Sequence, residues 1–530
     1  MPFTLKDIFP RTLAMRNVRE RVPGEEGVFR EFEADPGALP AFLAERFREA
    51  VDGILPGDLA AVEYALHEVT EDGCAPVRPS GGEVINPVLR IVPVRSDVAS
   101  RFRPDSQPVD GPADSFEGWV VVWKGPETGT TYVETADERM LLALKFLLED
   151  PRPELEGREL RVVNEAIDHA SRKGIVLKAP YLVARDLQGF PEGENIPPRY
   201  RTASTFTLQW HITNACDLHC KHCYDREKRS PLTADEGLAI IDDFERFCGK
   251  KNVRAHICFS GGNPFLSPHF FTLYEAAAAK GMATSILGNP VSRDELRRCC
   301  DIQPPDYFQV SLEGLEAHND FIRGKGYFGR VMDFLDLLRQ ENVTSAVMLT
   351  LTGANMDQVL PLTELLRGRA DTFTFNRLSQ VGEGAALLLP RPDEYRRFLG
   401  EYMEAARRNP VIGLKENLIN ILRRQRGVEP FGGCTGFGCG AAFNFLALLP
   451  DGEVHACRKF PSLIGTIHET GFLDLYESDA AARYRRGPES CSACGLRPVC
   501  GGCMAVVHGM GLDPFRDKDP FCFLDEQGKG

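Results

Sequence analysis

The sequence of 530 residues has no run of 18 consecutive apolar residues, so it offers no candidate transmembrane helix. Its first residues, Met-Pro-Phe-Thr-Leu-Lys-Asp, lack the apolar core of a secretory signal peptide. Basic residues are in deficit, with 62 Lys and Arg against 76 Asp and Glu and a formal net charge of −14. A surface with this charge does not attract nucleic acid or an anionic membrane. We therefore expect a cytoplasmic protein that binds neither.

Cysteine, in contrast, is abundant, with 16 residues. Disulfides are not expected, because the cytosol keeps thiols reduced. Eleven of the 16 fall into two groups, between residues 216 and 223 and between residues 434 and 522. Scattered cysteines are usually small core hydrophobes. We expect this role for the remaining five, which are Cys74, Cys248, Cys258, Cys299 and Cys300.

The first group has the spacing Cys-x3-Cys-x2-Cys, formed by Cys216, Cys220 and Cys223. Three thiolates can bind three irons of a 4Fe–4S cube and leave the fourth iron open to an exogenous ligand. A zinc site is the alternative, since zinc takes four ligands and His219 and His222 lie between these cysteines. The motif favours an iron–sulfur cluster built for chemistry.

Short β-rich segments alternate with helical periods from about residue 205 to residue 385. Six strands that alternate with helices predict an α/β fold with a parallel sheet, here a partial (β/α)6 barrel. The three cysteines follow the first strand at its C-terminal end, where barrel active sites form. The predicted strands are 205–212, 254–259, 283–288, 307–311, 345–350 and 372–377.

The three-cysteine motif and the strand ends that follow it resemble the radical S-adenosylmethionine (SAM) enzymes. In that family SAM chelates the open iron and is cleaved to a 5'-deoxyadenosyl radical. A low-potential donor such as flavodoxin or ferredoxin supplies the electron. The resemblance implies SAM contacts from eight residues, which are His222, Gly261, Gly262, Asn263, Asn289, Ser311, Glu313 and Arg323.

Two of these positions depart from the family pattern. Asn263 stands where Glu or Asp is usual, but the expected contact is made by the backbone of the Gly261-Gly262 turn. Glu313 replaces the usual Asp and is longer by one methylene. Ser311 and Glu313 are expected to hydrogen-bond the ribose and methionyl groups, and Arg323 is expected to pair with the SAM carboxylate.

The second group holds eight cysteines within about 90 residues, enough for two fully ligated 4Fe–4S clusters. Its spacing resembles the C-terminal SPASM extension of radical SAM peptide maturases. Two closed zinc sites are the alternative on spacing alone. The resemblance assigns Cys434, Cys439, Cys457 and Cys503 to auxiliary cluster I. It assigns Cys491, Cys494, Cys500 and Cys522 to auxiliary cluster II.

Four regions are expected along the chain. Residues 1–96 read as mainly helical and have no assignable role. Residues 112–182 combine a hairpin, helices and a last strand, with a capping box at Thr135 and Glu138. This order resembles the winged-helix-like element that takes up a leader peptide as an extra strand. The radical SAM barrel is expected over 203–388 and the SPASM domain over 389–530.

Together these features predict a radical SAM/SPASM enzyme with three 4Fe–4S clusters that crosslinks or oxidises a ribosomally made precursor peptide. The runs 260–271 and 286–290 further resemble the selenobiotic-type peptide maturases. One alternative is a SPASM enzyme acting on a small molecule or a tetrapyrrole precursor. The other is a non-catalytic peptide-binding or electron-transfer iron–sulfur protein. The catalytic base or hydrogen donor is not identified by the sequence.

Overall fold

A computed structural model describes residues 8–13, 15, 32, 35–47, 54–74, 76–79, 82–102, 117–186, 189–190 and 196–524. Residues 112–116, where the predicted leader-binding region begins, lie outside the described residues. The chain divides into two compact units, Met1–Leu155 with Glu159–Pro180, and Glu156–Arg158 with Tyr181–Gly530. No helix in the described part of the chain has the length and apolar character needed to cross a bilayer.

The described residues of the first unit form four helices and five short strands. The helices are α1 Leu39–Arg46, α2 Pro56–Glu71, α3 Glu138–Leu148 and α4 Gly157–Lys173. The strands are β1 Glu83–Ile85, β2 Leu89–Val94, β3 Gly118–Lys124, β4 Thr131–Thr135 and β5 Val176–Lys178. In a three-stranded antiparallel sheet β3 lies between β2 and β4, while β1 pairs with β5.

Strands from the two predicted N-terminal regions, 1–96 and 112–182, pair with each other. Strands β1 and β2 lie before residue 96 and pair with β5 and β3, which lie after residue 112. The predicted capping box of α3 is wrong. Asp137 is the N-cap residue, and its carboxylate accepts a hydrogen bond from the Met140 amide at 2.8 Å. Asp is among the preferred N-cap residues. The carboxylate of Asp137 lies directly before the helix, whereas Thr135 is the last residue of β4.

The second unit is built on a nine-stranded sheet. Its strands are β6 Thr205–Thr213, β7 Arg254–Gly261, β8 Ala283–Leu287, β9 Phe308–Ser311, β10 Ser345–Leu351, β11 Thr372–Arg377, β12 Phe445–Leu448, β13 Glu453–His455 and β14 Leu463–Thr466. Strands β6 to β11 lie side by side in chain order and are parallel. This confirms the predicted α/β fold class.

Helices separate the parallel strands and cover the sheet. They are α5 Ala234–Lys251, α6 Phe270–Ala279, α7 Arg293–Ile302, α8 Glu316–Arg323, α9 Tyr327–Gln340, α10 Val359–Leu366, α11 Pro392–Ala406, α12 Ile419–Gln425, α13 Phe472–Glu477, α14 Asp479–Arg486 and α15 Met504–Gly509. Two of them begin at capping boxes, formed by Thr233 with Glu236 and by Ser292 with Glu295. Apolar residues of these helices and of one face of the strands form one core.

The sheet does not end at β6. Strand β12 pairs with β6 in parallel, and β13 and β14 continue the sheet as antiparallel strands. The C-terminal cysteine-rich part is therefore joined by main-chain hydrogen bonds to the strand that carries the three-cysteine loop.

Candidate functional site

The three-cysteine loop follows β6 and borders a cavity of about 220 Å³. Cys216, Cys220 and Cys223 all line this cavity. The loop is fixed by backbone hydrogen bonds, including Lys221 N to Ile322 O at 3.0 Å and Glu383 N to Cys223 O at 2.9 Å. Three thiols on one loop at the wall of a cavity fit a cluster with one open iron.

The Gly261-Gly262 turn packs directly against the start of this loop. Gly262 N donates to Thr213 O at 2.8 Å, and Asn263 N donates to Ala215 O at 2.8 Å. A Cβ at Gly261 would lie 2.2 Å from Thr213 O, and one at Gly262 would lie 2.2 Å from Ala215 O. Both glycines also line the cavity. The absence of a Cβ at both glycines therefore allows this turn to pack against the backbone of residues 213–215.

Gly261→Ala is expected to disturb this contact, because the new Cβ would overlap Thr213 O and the residue has a φ of +129°. We expect anaerobically reconstituted Gly261→Ala protein to lose about four iron atoms, one cube, and to bind SAM poorly. The matched control is Gly329→Ala in α9, where an added Cβ meets nothing within 4 Å. Full iron content in Gly261→Ala would contradict this assignment.

Asn263 and Asn289 converge on a carboxylate inside the cysteine motif. Asn263 Nδ2 donates to Asp217 Oδ1 at 3.2 Å, and Asn289 Nδ2 donates to the same oxygen at 2.6 Å. Asn289 Nδ2 also lies 3.7 Å from Cys216 Sγ. Burial acts to raise the pKa of Asp217, but these hydrogen bonds and one from Arg330 outweigh it, so the pKa is lowered. Asp217 thus orients the loop, a role not predicted from the sequence.

Glu313, Arg323 and His222 form a buried ion-pair network beside Cys220. Arg323 donates to Glu313 Oε1 from Nε at 2.9 Å and from Nη2 at 2.5 Å, and His222 Nε2 lies 3.0 Å from the same oxygen. Burial acts to raise the pKa of Glu313, but the neighbouring His222 and Arg323 lower it to about 2. Glu313 Oε2 accepts from Thr350 N at 2.8 Å. Glu313 therefore holds Arg323 and His222 in place, and it does not line the cavity.

Arg323 also reaches the cysteine loop, because its Nη1 lies 3.7 Å from Cys220 Sγ. Nδ1 of His222 is buried and has no hydrogen-bond partner in the described part of the chain. Ser311, Asn289, His222 and Arg323 line the cavity together with the glycines. An orphaned buried nitrogen at a cavity wall is a group that a bound molecule can satisfy.

A second cavity, of about 60 Å³, lies next to the first and shares Asn376, Arg377 and Lys459 with it. Such a volume exceeds several-fold the roughly 10–15 Å³ that one water-sized body needs. Four thiols line this second cavity, and they are those of Cys434, Cys439, Cys457 and Cys503. Burial, followed by the neighbouring Cys503, raises the pKa of Cys439 to about 12 in the metal-free protein.

The loops around the second cavity are held by side-chain amides and carboxylates. Asn417 Oδ1 accepts from Cys434 N at 2.7 Å, and Asn417 Nδ2 donates to Gly502 O at 2.6 Å. Asp519 Oδ2 accepts from Cys503 N at 2.9 Å. The sequence did not identify these supporting residues, which lie outside the cysteine spacing pattern.

The remaining four cysteines form another group. Burial, followed by the charges of Cys494 and Cys522, raises the pKa of Cys491 to about 11. Cys500 is buried, and Cys522, Cys491 and Cys494 all act to raise its pKa. Cys494 N donates to Cys491 O at 3.1 Å. Of the five scattered cysteines, Cys248, Cys258 and Cys299 are buried as predicted and Cys300 is partly buried, whereas Cys74 is exposed, so the core role predicted for Cys74 is wrong.

Arg377 connects the two cavities through a buried network. It donates to Asp519 at 2.8 and 2.7 Å and to Glu416 at 3.0 and 3.2 Å. Its side chain is 1% exposed. One guanidinium between two carboxylates ties the end of β11 to the loops that carry the C-terminal cysteines.

Arg377→Met is expected to lower the free energy of unfolding by about 3–5 kcal/mol, because two buried carboxylates lose their cation. The control is Arg391→Met, whose side chain is 79% exposed and pairs with Glu394 on the surface. Urea denaturation followed by circular dichroism checks both variants. Equal midpoints for the two would show that the buried network does not stabilise the fold.

Comparisons with known proteins agree with this arrangement. A family model described as the radical SAM superfamily matches residues 210–366, and one described as an iron–sulfur cluster-binding domain, SPASM, matches residues 439–495. The mycofactocin maturase MftC of Mycolicibacterium smegmatis is 30% identical over 336 residues, which cover 59% of this chain and 82% of the relative.

The AdoMet-dependent heme synthase of Methanosarcina barkeri is 26% identical over 342 residues, 59% of this chain and 95% of the relative. Among solved structures, Streptococcus suis SuiB bound to precursor peptide SuiA is 16% identical with a TM-score of 0.49, over 77% of this chain and 97% of that chain. On the sequence matches, the chain belongs to the radical SAM superfamily and carries a SPASM iron–sulfur domain.

Proposed function

We propose that this radical SAM/SPASM enzyme holds three 4Fe–4S clusters and uses SAM to modify a ribosomally made peptide. Cys216, Cys220 and Cys223 would bind the cluster that receives SAM. The group of Cys434, Cys439, Cys457 and Cys503 would hold auxiliary cluster I. The group of Cys491, Cys494, Cys500 and Cys522 would hold auxiliary cluster II. The shared cavity wall and the clustering of the thiols support this assignment.

The donor sets fit these groups. The four thiols of auxiliary site I line one cavity, as the four ligands of a closed cluster must, and a zinc site is the alternative with the same donors. Lys415 and Lys459 line the same cavity and can offset the negative charge of a thiolate-bound cluster. When bound, the first cluster and SAM supply a 5'-deoxyadenosyl radical that abstracts hydrogen from the substrate, after an electron from a donor such as flavodoxin or ferredoxin.

The residues of the chain hold and shape this site. Arg323 pairs with Glu313 and directs a charged N–H donor toward Cys220 Sγ. Hydrogen bonds to the sulfurs tune the reduction potential of a cluster. Asp217 fixes the loop through Asn263 and Asn289. His222 has a buried nitrogen free for a bound molecule. Of the eight proposed SAM contacts, Asn263 and Glu313 would act through other residues, because neither lines the cavity.

A peptide substrate is favoured by one of these relatives, which is named a mycofactocin maturase. The tetrapyrrole alternative retains support, because another relative is named a heme synthase. A non-catalytic role is disfavoured, since these relatives are maturases and synthases.

The first unit is a candidate for leader recognition. Strand β4 is an edge of its three-stranded sheet, and Tyr132 on that strand is 37% exposed. A leader peptide could add to this edge as a further strand. Val133→Pro in the full-length protein removes one β4 amide donor. It should raise the KM for a leader-containing peptide and leave the KM for a leaderless core peptide unchanged. Equal effects on both peptides would exclude strand addition there.

The substrate class is tested by incubating anaerobically reconstituted enzyme with SAM and dithionite. One reaction contains a short peptide encoded by a neighbouring open reading frame, where the genome has one, and the other contains Fe-coproporphyrin III. We expect a mass change in the peptide, with 5'-deoxyadenosine formed in proportion, and no change in the tetrapyrrole. Conversion of the tetrapyrrole alone would replace this proposal with the alternative.

A further inference from the structure

Four arginines line the first cavity, and Arg458 is the one without an acidic partner within 4.0 Å in the described part of the chain. The other three are each paired. Their partners are Glu383 for Arg226 at 3.8 Å, Glu313 for Arg323 at 2.5 Å and Asp519 for Arg377 at 2.7 Å. Arg458 therefore differs from the other three arginines of this cavity, because no carboxylate of the described residues pairs with it.

Four groups face Arg458, and only one of them, the proposed cluster ligand Cys457, would carry a negative charge, as a thiolate. They are Tyr224, Cys258, Cys457 and Tyr307. Burial raises the pKa of Cys258 and of Tyr307, so both are neutral. Tyr224 is a phenol that donates or accepts toward His211 at 3.2 Å. Cys457 is the proposed cluster ligand, and the positive charge of Lys459 acts to lower the pKa of its thiol.

The guanidinium of Arg458 has five N–H donors, and the described residues use one of them. Nη1 donates to Ser260 Oγ at 3.2 Å. The Ser260 hydroxyl then has its own hydrogen left to donate, and Ser260 is 1% exposed. A guanidinium with four unused N–H donors at the wall of a cavity can bind an anion there.

We propose that Arg458 and Ser260 form a carboxylate-binding subsite in the active-site cavity. A planar carboxylate matches the fork of the guanidinium, which can donate to both of its oxygens. Ser260 directly precedes the Gly261-Gly262 turn, so the subsite adjoins the three-cysteine loop. A bound carboxylate would thereby anchor its molecule beside the place where the chemistry starts.

Two molecules could supply this group. One is SAM, which carries a carboxylate, and the other is the substrate. The subsite does not depend on the proposed peptide substrate, since peptides and tetrapyrroles both carry carboxylates. A negative result for the subsite would therefore leave the proposed peptide substrate standing, and a negative result for the peptide substrate would leave the subsite standing.

The test uses wild-type, full-length, anaerobically reconstituted protein, so that no variant need fold. Phenylglyoxal modifies arginine, and mass spectrometry reports the rate at each site. The probes are glutarate, its uncharged analogue glutaramide, and SAM, each added separately. Arg226, which lines the same cavity and is paired with Glu383, serves as the internal control, and the exposed Arg391, paired with Glu394, reports the general reactivity.

We expect glutarate to slow the modification of Arg458 on the order of ten-fold, as a charge-assisted bidentate contact requires, and glutaramide to have no effect. Protection by glutarate but not by SAM would identify the substrate as the source of the carboxylate. Protection by SAM would identify SAM as the source. Failure of both carboxylates to protect Arg458, or equal protection by glutaramide, would overturn the subsite.

Discussion

Protein in which Cys216, Cys220 and Cys223 are all replaced by Ala is expected to form no 5'-deoxyadenosine from SAM. It should also lose about four iron and four sulfide, because one cube loses all its protein ligands. The other eight motif cysteines are unchanged, and Asn417 and Asp519 still hold the backbone of Cys434 and Cys503. The measurements are 5'-deoxyadenosine by chromatography and iron and sulfide per chain.

The control for this triple variant is Cys74→Ala with Cys300→Ala, two cysteines that are outside both groups. It should keep full iron content and full SAM cleavage. SAM cleavage that survived in the triple variant would contradict the placement of SAM at this loop. Loss of all the iron would instead show that the three sites assemble as one unit.

Loss of a ligand in auxiliary site II should separate SAM cleavage from product formation. We expect Cys494→Ala or Cys522→Ala still to form 5'-deoxyadenosine, because the three-cysteine loop and the parallel strands are unchanged. The yield of modified product should fall far more than the yield of 5'-deoxyadenosine. Because a fully ligated cluster has no open iron, we expect site II only to carry electrons in a later step. The ratio of 5'-deoxyadenosine to product measures this difference.

Cys300→Ala is again the matched control, and it should leave the ratio as in the wild type. A ratio that stays constant in Cys494→Ala while both yields fall would mean that site II supports folding. In that case the C-terminal cysteines would have no part in the redox chemistry.

The parallel sheet could be predicted from the sequence because its strands are short, β-rich and separated by helical periods. The predicted strand 205–212 is β6, Thr205–Thr213, and the predicted strand 372–377 is β11, Thr372–Arg377. The N-cap of α3 was missed because Thr135 and Asp137 both precede the helix and only the backbone geometry decides between them. The pairing of β12 with β6 was also missed, since sequence patterns do not show which distant strands are neighbours.

The cysteine groups were predictable because a cluster imposes fixed spacing on its ligands. Roles that depend on packing were not. The position of Glu313 in its motif indicated a SAM contact, yet its carboxylate is occupied by Arg323, His222 and Thr350. Asp217 lies inside the first motif, but only the fold brings Asn263 and Asn289 to it. The unpaired charge of Arg458 likewise depends on its surroundings.

Metal analysis of the intact protein tests the central claim most directly. Protein purified and reconstituted without oxygen should contain about 12 iron and 12 sulfide per chain, because eleven cysteines would hold three cubes. Zinc should be absent from protein isolated without oxygen. Stoichiometric zinc with about four iron or fewer would contradict the two auxiliary clusters and leave the C-terminal cysteines as zinc sites.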